Sequence, residues 1–343
     1  MKEKNHLIEL DALRGIACME VVLFHYTIGN TSIRSFFDRG VTGTDLFYII
    51  SGFVIFFSTQ RTKNWVDFLV LRIARLYPSY IFCVLLTSGI LILVGGENIG
   101  LGKILVNLTM FQHFFRVEDI DGAYWSLAVE WSFYALIALS LRLNKLQQIS
   151  DYGWILLIFV LIFYTIPLYF PNNRYYYHLN KLFEFIRYYP LFYAGILFYR
   201  LKVAQENNVL IHFLLMFCYF LSSFTYNKGG PIMWVIGFNE YQIMLLIYYG
   251  VFYLFVTQKL SFIINPITLF LGEISYPLYL IHQEIGKKIF IPFFQSFRFP
   301  VMISIFLTIL TVILIAFLIN KFIEKPIREL VRNRWKKHKL KYT

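Results

Sequence analysis

Residues 301–320 read VMISIFLTILTVILIAFLIN, a run of twenty residues without a single charged side chain. About 20 apolar residues in helical conformation span the hydrocarbon core of a bilayer, because each residue advances the helix by roughly 1.5 Å. The stretch therefore predicts a membrane-spanning α-helix.

The composition of the whole chain agrees with this prediction. Apolar residues make up 58% of the 343 residues, charged residues only 15%, and the mean hydropathy is +0.59. A soluble domain carries about 25% charged residues. Because so few polar side chains are available to cover a globule, the composition excludes a soluble protein.

Ten stretches are apolar and long enough to cross the bilayer, and we predict an all-α, polytopic transmembrane bundle of about ten helices. We find no internal repeat, so residues 1–343 are predicted to form a single domain. The ten spans are predicted at about residues 8–28, 41–60, 74–95, 124–141, 152–170, 182–199, 208–226, 239–258, 267–286 and 300–320.

The basic residues predict that both termini are cytoplasmic. With the N-terminus inside, twenty Lys and Arg lie on the inner side and ten on the outer side, in accordance with the positive-inside rule. Nine of the inner residues belong to the basic tail, residues 321–343. Such a tail is more typical of binding to anionic lipid than to DNA, so the predicted partners include membrane lipids and exclude nucleic acid.

The three cysteines predict neither a disulfide framework nor a metal site. Cys18, Cys83 and Cys218 are isolated in apolar stretches, without the spacing of metal ligands. We therefore predict that the protein uses no metal.

The first span carries a stripe of polar side chains, Asp11, Arg14, Cys18 and His25. Ionisable groups in a span cost about 2.5–3.5 kcal/mol and usually face a bundle interior or a wet cavity. Arg14 and His25 lie about three helical turns apart, so they share one face with roughly 16 Å between them. The stripe predicts a channel from the cytoplasmic face to the outer half of the membrane.

A second interpretation of this stripe stays open. Asp11 and Arg14 could pair at the lipid interface while His25 is a structural histidine. Glu20 points away from the stripe and is predicted to pack against another helix.

Two carboxylates are predicted at the depth of His25. Asp45 opens the second span, where it could hold the imidazole tautomer or act only as a helix cap. Glu130 lies about two turns inside the fourth span, and a carboxylate there needs a partner or a task. A histidine with two carboxylates is a plausible acid–base centre. Next to them, Ser51-Gly52 indicates close helix packing.

The predicted inner loop after the second span contains Arg72 and Arg75, and Pro78 limits the turn that follows. Arginines three residues apart share a helix face and could form a bidentate cradle for phosphate. The alternative is that both residues are only topology anchors.

Six motifs, in order along the chain, resemble those of the acyltransferase 3 family, whose members are membrane O-acyltransferases of surface polysaccharides. Small departures from the family pattern occur at Ala12, Thr44 and Leu71. The six motifs are Leu10–Ala17 followed by Phe24-His25, Gly43–Phe53, Arg72–Pro78, Tyr124–Tyr134, Ile274–His282 and Glu324–Arg328.

The resemblance implies transfer of an acyl group from cytoplasmic acyl-CoA, most often acetyl-CoA, to a hydroxyl of a glycan. It also implies a multi-pass protein of the cell inner (plasma) membrane, acting on a cell-surface or lipid-linked glycan. His25 becomes the central catalytic residue, and Arg14, Arg72 and Arg75 become the residues that bind acyl-CoA on the cytoplasmic side.

On this basis we predict that His25 removes the proton of the acceptor hydroxyl and that Asp45 or Glu130 orients the ring. A covalent acyl-histidine is the variant route. Substrate contact is assigned to four further motif residues, Tyr124, Trp125, Ser126 and His282.

A transporter or flippase of lipid-linked sugars, without acyl transfer, is the alternative function, because it would also place charged groups at mid-depth. The absence of paired half-repeats with broken helices argues against it.

Overall fold

The computed structural model describes residues 7–28, 37–60, 62, 64–170, 173–229 and 232–342, and every regular element in these ranges is a helix. The predicted all-α class is confirmed. Five of the basic residues that entered the charge count, Lys2, Lys4, Arg34, Arg61 and Lys63, lie outside the described residues. The orientation of the termini stays a prediction.

The α-helices follow one another along the chain, with short 3-10 helices and two π-helices (Gly286–Phe290 and Asn320–Glu324) between some of them. In chain order they are α1 (Ile8–Thr27), α2 (Gly43–Thr59), α3 (Trp65–Leu93), α4 (Leu101–Asn107), α5 (Trp125–Arg142), α6 (Leu146–Tyr152), α7 (Trp154–Tyr169), α8 (Arg174–Leu182), α9 (Phe185–Lys202), α10 (Val209–Phe224), α11 (Phe238–Val256), α12 (Pro266–Ile281), α13 (Gln283–Ile285), α14 (Ile291–Ser296), α15 (Val301–Ile319) and α16 (Lys325–Tyr342).

A long helix occupies each of the ten predicted spans. By length and composition alone, four helical stretches of the described chain could cross a membrane, and a fifth results if α6 and α7, bent by 60°, count as one span. The helix α1 falls outside this group because it carries Asp11, Arg14 and Glu20, and α10 and α12 are only 16 residues long. The four stretches are Asp38–Thr59, Trp65–Leu93, Gly122–Arg142 and Val301–Leu340.

The predicted loop around Arg72 and Arg75 is wrong, because α3 begins at Trp65 and both arginines lie inside the helix. Pro78 lies inside the helix, since α3 continues to Leu93. The first turn of α3 is held by residues from the far end of the chain. In the first turn of α3, the carboxylate of Asp67 accepts a hydrogen bond from Nε1 of Trp335, at 2.9 Å, and pairs with Lys339.

The chain divides into two compact units, so the single domain predicted for residues 1–343 stays a prediction. Unit 1 comprises Met1–Trp65 and Val129–Leu269, and unit 2 comprises Val66–Ala128 and Phe270–Thr343. Each unit therefore combines an early and a late segment of the chain.

In unit 1, glycines allow α2 and α9 to pack backbone against backbone. A Cβ atom on Gly52 would lie 2.0 Å from the carbonyl oxygen of Phe192, and one on Gly195 would lie 2.2 Å from that of Ile49. Both distances are far shorter than any van der Waals contact, so only glycine fits. The prediction of close packing at Gly52 is confirmed.

The variant Gly52→Ala is expected to lower the temperature at which half of the detergent-solubilised protein aggregates. The added methyl group must push α2 away from α9, and overpacking of this kind costs about 1–3 kcal/mol. Gly250→Ala in α11 is the matched control, because a Cβ there meets no atom within 4 Å. Alanine is a better helix former than glycine by about 1 kcal/mol, so the control should keep or raise the temperature. Equal temperatures for Gly52→Ala and wild type would contradict the packing argument.

In unit 2, the C-terminal part of the chain is tied to the middle of α3. Oε2 of Glu324 accepts a hydrogen bond from Ser79 at 3.3 Å, and its Oε1 pairs with Arg328 at 3.3 Å. The Glu324–Arg328 motif therefore has a structural role beside Pro78. The basic tail is mostly helical, as α16, and is held to α3 at Asp67.

Candidate active site

The helix α1 holds the predicted stripe in unit 1. Asp11, Arg14 and His25 are half-buried, whereas Cys18 is fully buried. Nη1 of Arg14 and Oδ1 of Asp11 lie 3.8 Å apart, with 20% and 31% of the side chains exposed, so the ion pair of the second interpretation is present. The partial exposure of three polar side chains on one face is also what a lined channel requires.

His25 is oriented by its own helix. Its Nδ1 lies 3.0 Å from the carbonyl oxygen of Val21. Because a carbonyl only accepts hydrogen bonds, Nδ1 carries the proton in the neutral ring, and Nε2 carries the lone pair. The ring of Phe24 packs beside the imidazole at 4.7 Å between centroids. The arrangement supplies a base at Nε2.

Glu20 contacts another helix, as the sequence predicts. Its Oε2 accepts a hydrogen bond from the hydroxyl of Tyr248 in α11, at 3.0 Å. The same hydroxyl lies 2.7 Å from Oγ1 of Thr42. This contact joins α1 to α11 and to the segment that precedes α2.

Asp45 is completely buried in the first turn of α2. Arg187 in α9 supplies the positive charge near it, and the hydroxyl of Tyr241 in α11 lies beside it. Neither carboxylate oxygen has a hydrogen bond of normal geometry, so Asp45 does not hold the imidazole of His25 here. Its catalytic role stays a prediction.

Arg187 lies inside the predicted span 182–199, and no role was predicted for it. Its position in a span could have marked it as a site residue, because an arginine inside a span needs a partner or a function. Arg187 is buried. Its guanidinium lies over the ring of Tyr188 at 5.1 Å and donates from Nη2 to the carbonyl oxygen of Tyr226 at 3.2 Å.

Glu130 is half-buried and bound by two hydroxyl groups. Its Oε1 accepts hydrogen bonds from Ser51 at 3.0 Å and from Tyr134 at 2.7 Å. Two donors on one oxygen stabilise a carboxylate in a low-dielectric environment. They also fix the side chain between the second-span motif and α5.

In unit 2, Tyr279 contacts both Ser126 and His282. Tyr279 belongs to the Ile274–His282 motif, but no role was predicted for it. Oγ of Ser126 lies 2.8 Å from the hydroxyl of Tyr279, which also donates to the carbonyl oxygen of Ala123 at 3.1 Å. Nδ1 of His282 lies 2.7 Å from the carbonyl oxygen of Tyr279. All three side chains are buried.

Asp121 fixes the same region from the loop before α5. Its Oδ1 accepts from the amide of Ala123 at 2.9 Å and its Oδ2 from the amide of Glu284 at 3.0 Å. Complete burial raises the pKa of Asp121 to about 7, and the two amide donors oppose that rise. This role of Asp121 was not predictable from the sequence, because one of its two amide partners lies 163 residues away.

Of the four residues assigned to substrate contact, Trp125 alone keeps partial exposure in this structure. Tyr124 is buried beside the ring of Tyr80, at 5.1 Å between centroids. Ser126 and His282 belong to the buried cluster around Tyr279. Substrate contact by these residues stays a prediction.

Arg72 and Arg75 are on neighbouring turns of α3 in unit 2. Arg72 is buried, with its guanidinium over the ring of Phe68 at 5.4 Å, and Arg75 is half-buried. The structure thus places Arg14, His25, Asp45 and Glu130 in unit 1, and all other assigned site residues in unit 2.

The sequence profile of a family described as an acyltransferase domain, Acyl_transf_3, matches residues 7–320. The chain belongs to the acyltransferase 3 family. The match includes every residue assigned to the site, and it confirms the family that the six motifs resemble. The protein is therefore an acyltransferase, and its helices make it a membrane acyltransferase.

Curated relatives of this acyltransferase carry related descriptions. A presumed acetyltransferase of Acidianus two-tailed virus is 22% identical over 293 residues, which are 82% of this chain and 83% of the viral protein. Presumed O-acetyltransferases of Staphylococcus aureus strains COL and MSSA476 are each 24% identical over 179 residues. That segment is 45% of this acyltransferase but only 28% of the staphylococcal proteins. No solved structure matches the chain.

Proposed function

We propose that this O-acyltransferase moves an acetyl group from acetyl-CoA to a hydroxyl of a cell-surface or lipid-linked glycan. The observation that carries the proposal is the orientation of His25, whose Nε2 is the basic nitrogen on a partly exposed polar stripe. The O-acetyltransferase descriptions of the staphylococcal relatives support the choice of acetyl group and hydroxyl acceptor.

In the proposed reaction, Nε2 of His25 takes the proton of the acceptor hydroxyl. The hydroxyl oxygen attacks the thioester carbonyl, and the bond between carbonyl carbon and sulfur breaks. The imidazolium then returns its proton to the CoA thiolate. In the variant route, Nε2 attacks the thioester carbonyl first, and the bond between carbonyl carbon and sulfur breaks to release the CoA thiolate. The acceptor hydroxyl then attacks the acyl-imidazole, the bond between carbonyl carbon and Nε2 breaks, and the hydroxyl proton passes to the thiolate.

Arg14, Arg72 and Arg75 are proposed to bind acyl-CoA. A guanidinium offers five N–H donors in a planar fork, which matches the oxygens of phosphate better than an ammonium group does. The consecutive turns of α3 present Arg72 and Arg75 as a pair, and the stacking of Arg72 on Phe68 restricts its guanidinium.

We also propose where the enzyme acts and which lipids it contacts. The enzyme acts in the cell inner (plasma) membrane, with membrane lipids as partners of the basic α16. Five of the exposed residues of this helix are basic, as binding to anionic headgroups requires: Arg332, Arg334, Lys336, Lys337 and Lys339.

The test is transfer of label from [14C]acetyl-CoA to glycan in membranes that contain or lack the protein. We expect acid-stable, base-labile label in the glycan fraction only when the protein is present, since O-esters are hydrolysed by base. Movement of lipid-linked sugar across the membrane without any label in glycan would refute the proposal in favour of the transporter.

The variant Arg75→Lys is expected to raise the apparent KM for acetyl-CoA several-fold or more, with the KM for acceptor unchanged. Lysine keeps the positive charge but loses the planar fork, at a cost of about 1–3 kcal/mol for a charge-assisted hydrogen bond. The measurement is initial rate against acetyl-CoA concentration in inverted vesicles. Arg72→Lys should have the same effect, but it also removes the contact with Phe68.

The control for Arg75→Lys is Arg332→Lys, an exposed position in α16. The positive-inside rule counts lysine and arginine alike, so a topology anchor tolerates the exchange. If both α3 variants behave like Arg332→Lys, the two arginines return to the role of anchors.

A further inference from the structure

Unit 1 contains a pocket with four charged side chains in its lining, and none of the assigned site residues lines it. It has a volume of about 170 Å³ and is lined by residues of α7, α8 and α9 and of the turn that follows α10, among them Tyr164, Asn180, Lys181, Arg187 and Lys228. Since a water molecule takes up about 30 Å³ of liquid, the pocket has room for roughly five or six waters. That is enough for one charged group of a sugar.

The pocket has prearranged walls. Asn180 accepts a hydrogen bond from the hydroxyl of Tyr164 at 2.9 Å and donates one to the carbonyl oxygen of Lys228 at 2.8 Å. These bonds join α7 and α8 to the turn. Gly229 has φ of +137°, and a Cβ there would lie 3.9 Å from Nη1 of Arg187. The turn therefore needs glycine, and Nη1 of Arg187 faces it.

The charge of the pocket is positive. Lys181, Arg187 and Lys228 line it, against the carboxylate of Glu184 in the lining and that of Asp45 beside Arg187. The cations differ in exposure: Lys181 is exposed at the rim, Lys228 is half-buried and Arg187 is buried at the base. Such a gradient draws an anion inwards, because the electrostatic attraction strengthens as water is excluded.

Membrane topology does not account for the two lysines. In the predicted orientation, Lys181 and Lys228 both lie on the outer side. The positive-inside rule predicts an excess of basic residues only on the inner side. The outer side is the one on which a surface glycan is found. Arg187 also connects the pocket to the candidate active site, because it is the positive charge beside Asp45.

We propose that this pocket is an acceptor subsite, which binds a phosphate or carboxylate group carried by the acceptor glycan. The subsite rests on the proposed function and makes it more specific: the acceptor is an anionic glycan. Arg187 binds the anion at the base, and Lys181 and Lys228 select it at the rim.

Binding is tested first, without turnover. Purified protein is titrated by calorimetry with glucose, glucuronate and glucose 1-phosphate. We expect binding of one or both anionic sugars but not of glucose, and at least a tenfold loss of affinity in the double variant Lys181→Gln/Lys228→Gln. The single variant Lys287→Gln, an exposed lysine of unit 2, should bind as wild type does. Absence of binding, or affinity that the double variant leaves unchanged, overturns the proposal.

Turnover is tested second, with a neutral oligosaccharide and with matched oligosaccharides that bear one uronate or one phosphate. The double variant should raise the KM for the charged acceptor at least tenfold. It should leave the kcat for the charged acceptor, and both KM and kcat for the neutral acceptor, unchanged. An equal change for all acceptors overturns the subsite. Failure of transfer in wild type refutes the proposed function. The binding titration then still decides whether the pocket binds anionic sugars.

The same titration in nanodiscs of phosphatidylcholine and of phosphatidylglycerol separates two sources of phosphate. We expect glucose 1-phosphate to bind equally in both. Loss of sugar binding only in phosphatidylglycerol would assign the pocket to a lipid headgroup and overturn the acceptor subsite.

Discussion

The variant His25→Ala is expected to lower the rate of acetyl transfer by at least about 100-fold, the lower end of what a positioned general base contributes. The loss is larger if His25 carries the acyl group covalently. The measurement is the amount of [14C]acetyl transferred to glycan per unit of protein, with protein level and membrane insertion determined on the same samples.

A second variant separates the chemistry of His25 from its packing. The side-chain amide of His25→Asn can still donate to the carbonyl oxygen of Val21, as Nδ1 does at 3.0 Å, but it has no counterpart of Nε2. Both variants should therefore lose activity to the same extent. Near wild-type acetylation in either one would remove His25 from the mechanism.

The variant Glu130→Gln is expected to lower kcat by roughly 10–100-fold. A hydrogen bond to a charged group is worth about 1.5–3 kcal/mol and one between neutral groups about 0.5–1.5 kcal/mol, so both bonds to Glu130 weaken when its charge is lost. The glutamine carbonyl oxygen can still accept from Ser51 and Tyr134, so the shape and the contacts at 3.0 and 2.7 Å are retained. Only the negative charge is removed. The measurement is steady-state transfer at saturating acetyl-CoA.

Glu20→Gln is the matched control for Glu130→Gln. Glu20 is also half-buried in unit 1 and also accepts a hydrogen bond from a tyrosine hydroxyl, that of Tyr248 at 3.0 Å. Its amide should be tolerated, because the contact joins helices and is not assigned to chemistry. Equal turnover for Glu130→Gln and Glu20→Gln would give Glu130 the same packing role.

The helices were predictable from the sequence because the signal for them is local. An apolar run such as residues 301–320 favours the bilayer over water whatever its neighbours are, and a helix makes its backbone hydrogen bonds within the segment. The same reasoning failed at the start of α3. There the first turn of the helix includes Asp67, which binds Trp335, 268 residues away, and no local pattern reports such a contact.

Some features of the candidate site were also predictable from the sequence, and others were not. His25 and Arg14 were predictable, because a polar stripe on one helix follows from the helical period. The neighbours of Asp45 were not, because Arg187 and Tyr241 come from other helices, and the sequence alone does not say which helices touch. Asp121 was missed for a related reason: its two partners are backbone amides, which carry no sequence signature.

Because the carbonyl of Val21 orients His25, its Nε2 moves with α1 as one body. The proposed substrates, acyl-CoA and a glycan, are large and would have to enter and leave during each catalytic cycle, so helices would have to shift for them. An imidazole held by a side chain of another helix would turn with every such shift. The carbonyl of Val21 lies one turn away on the same helix, so this hydrogen bond stays with the ring when α1 moves against its neighbours.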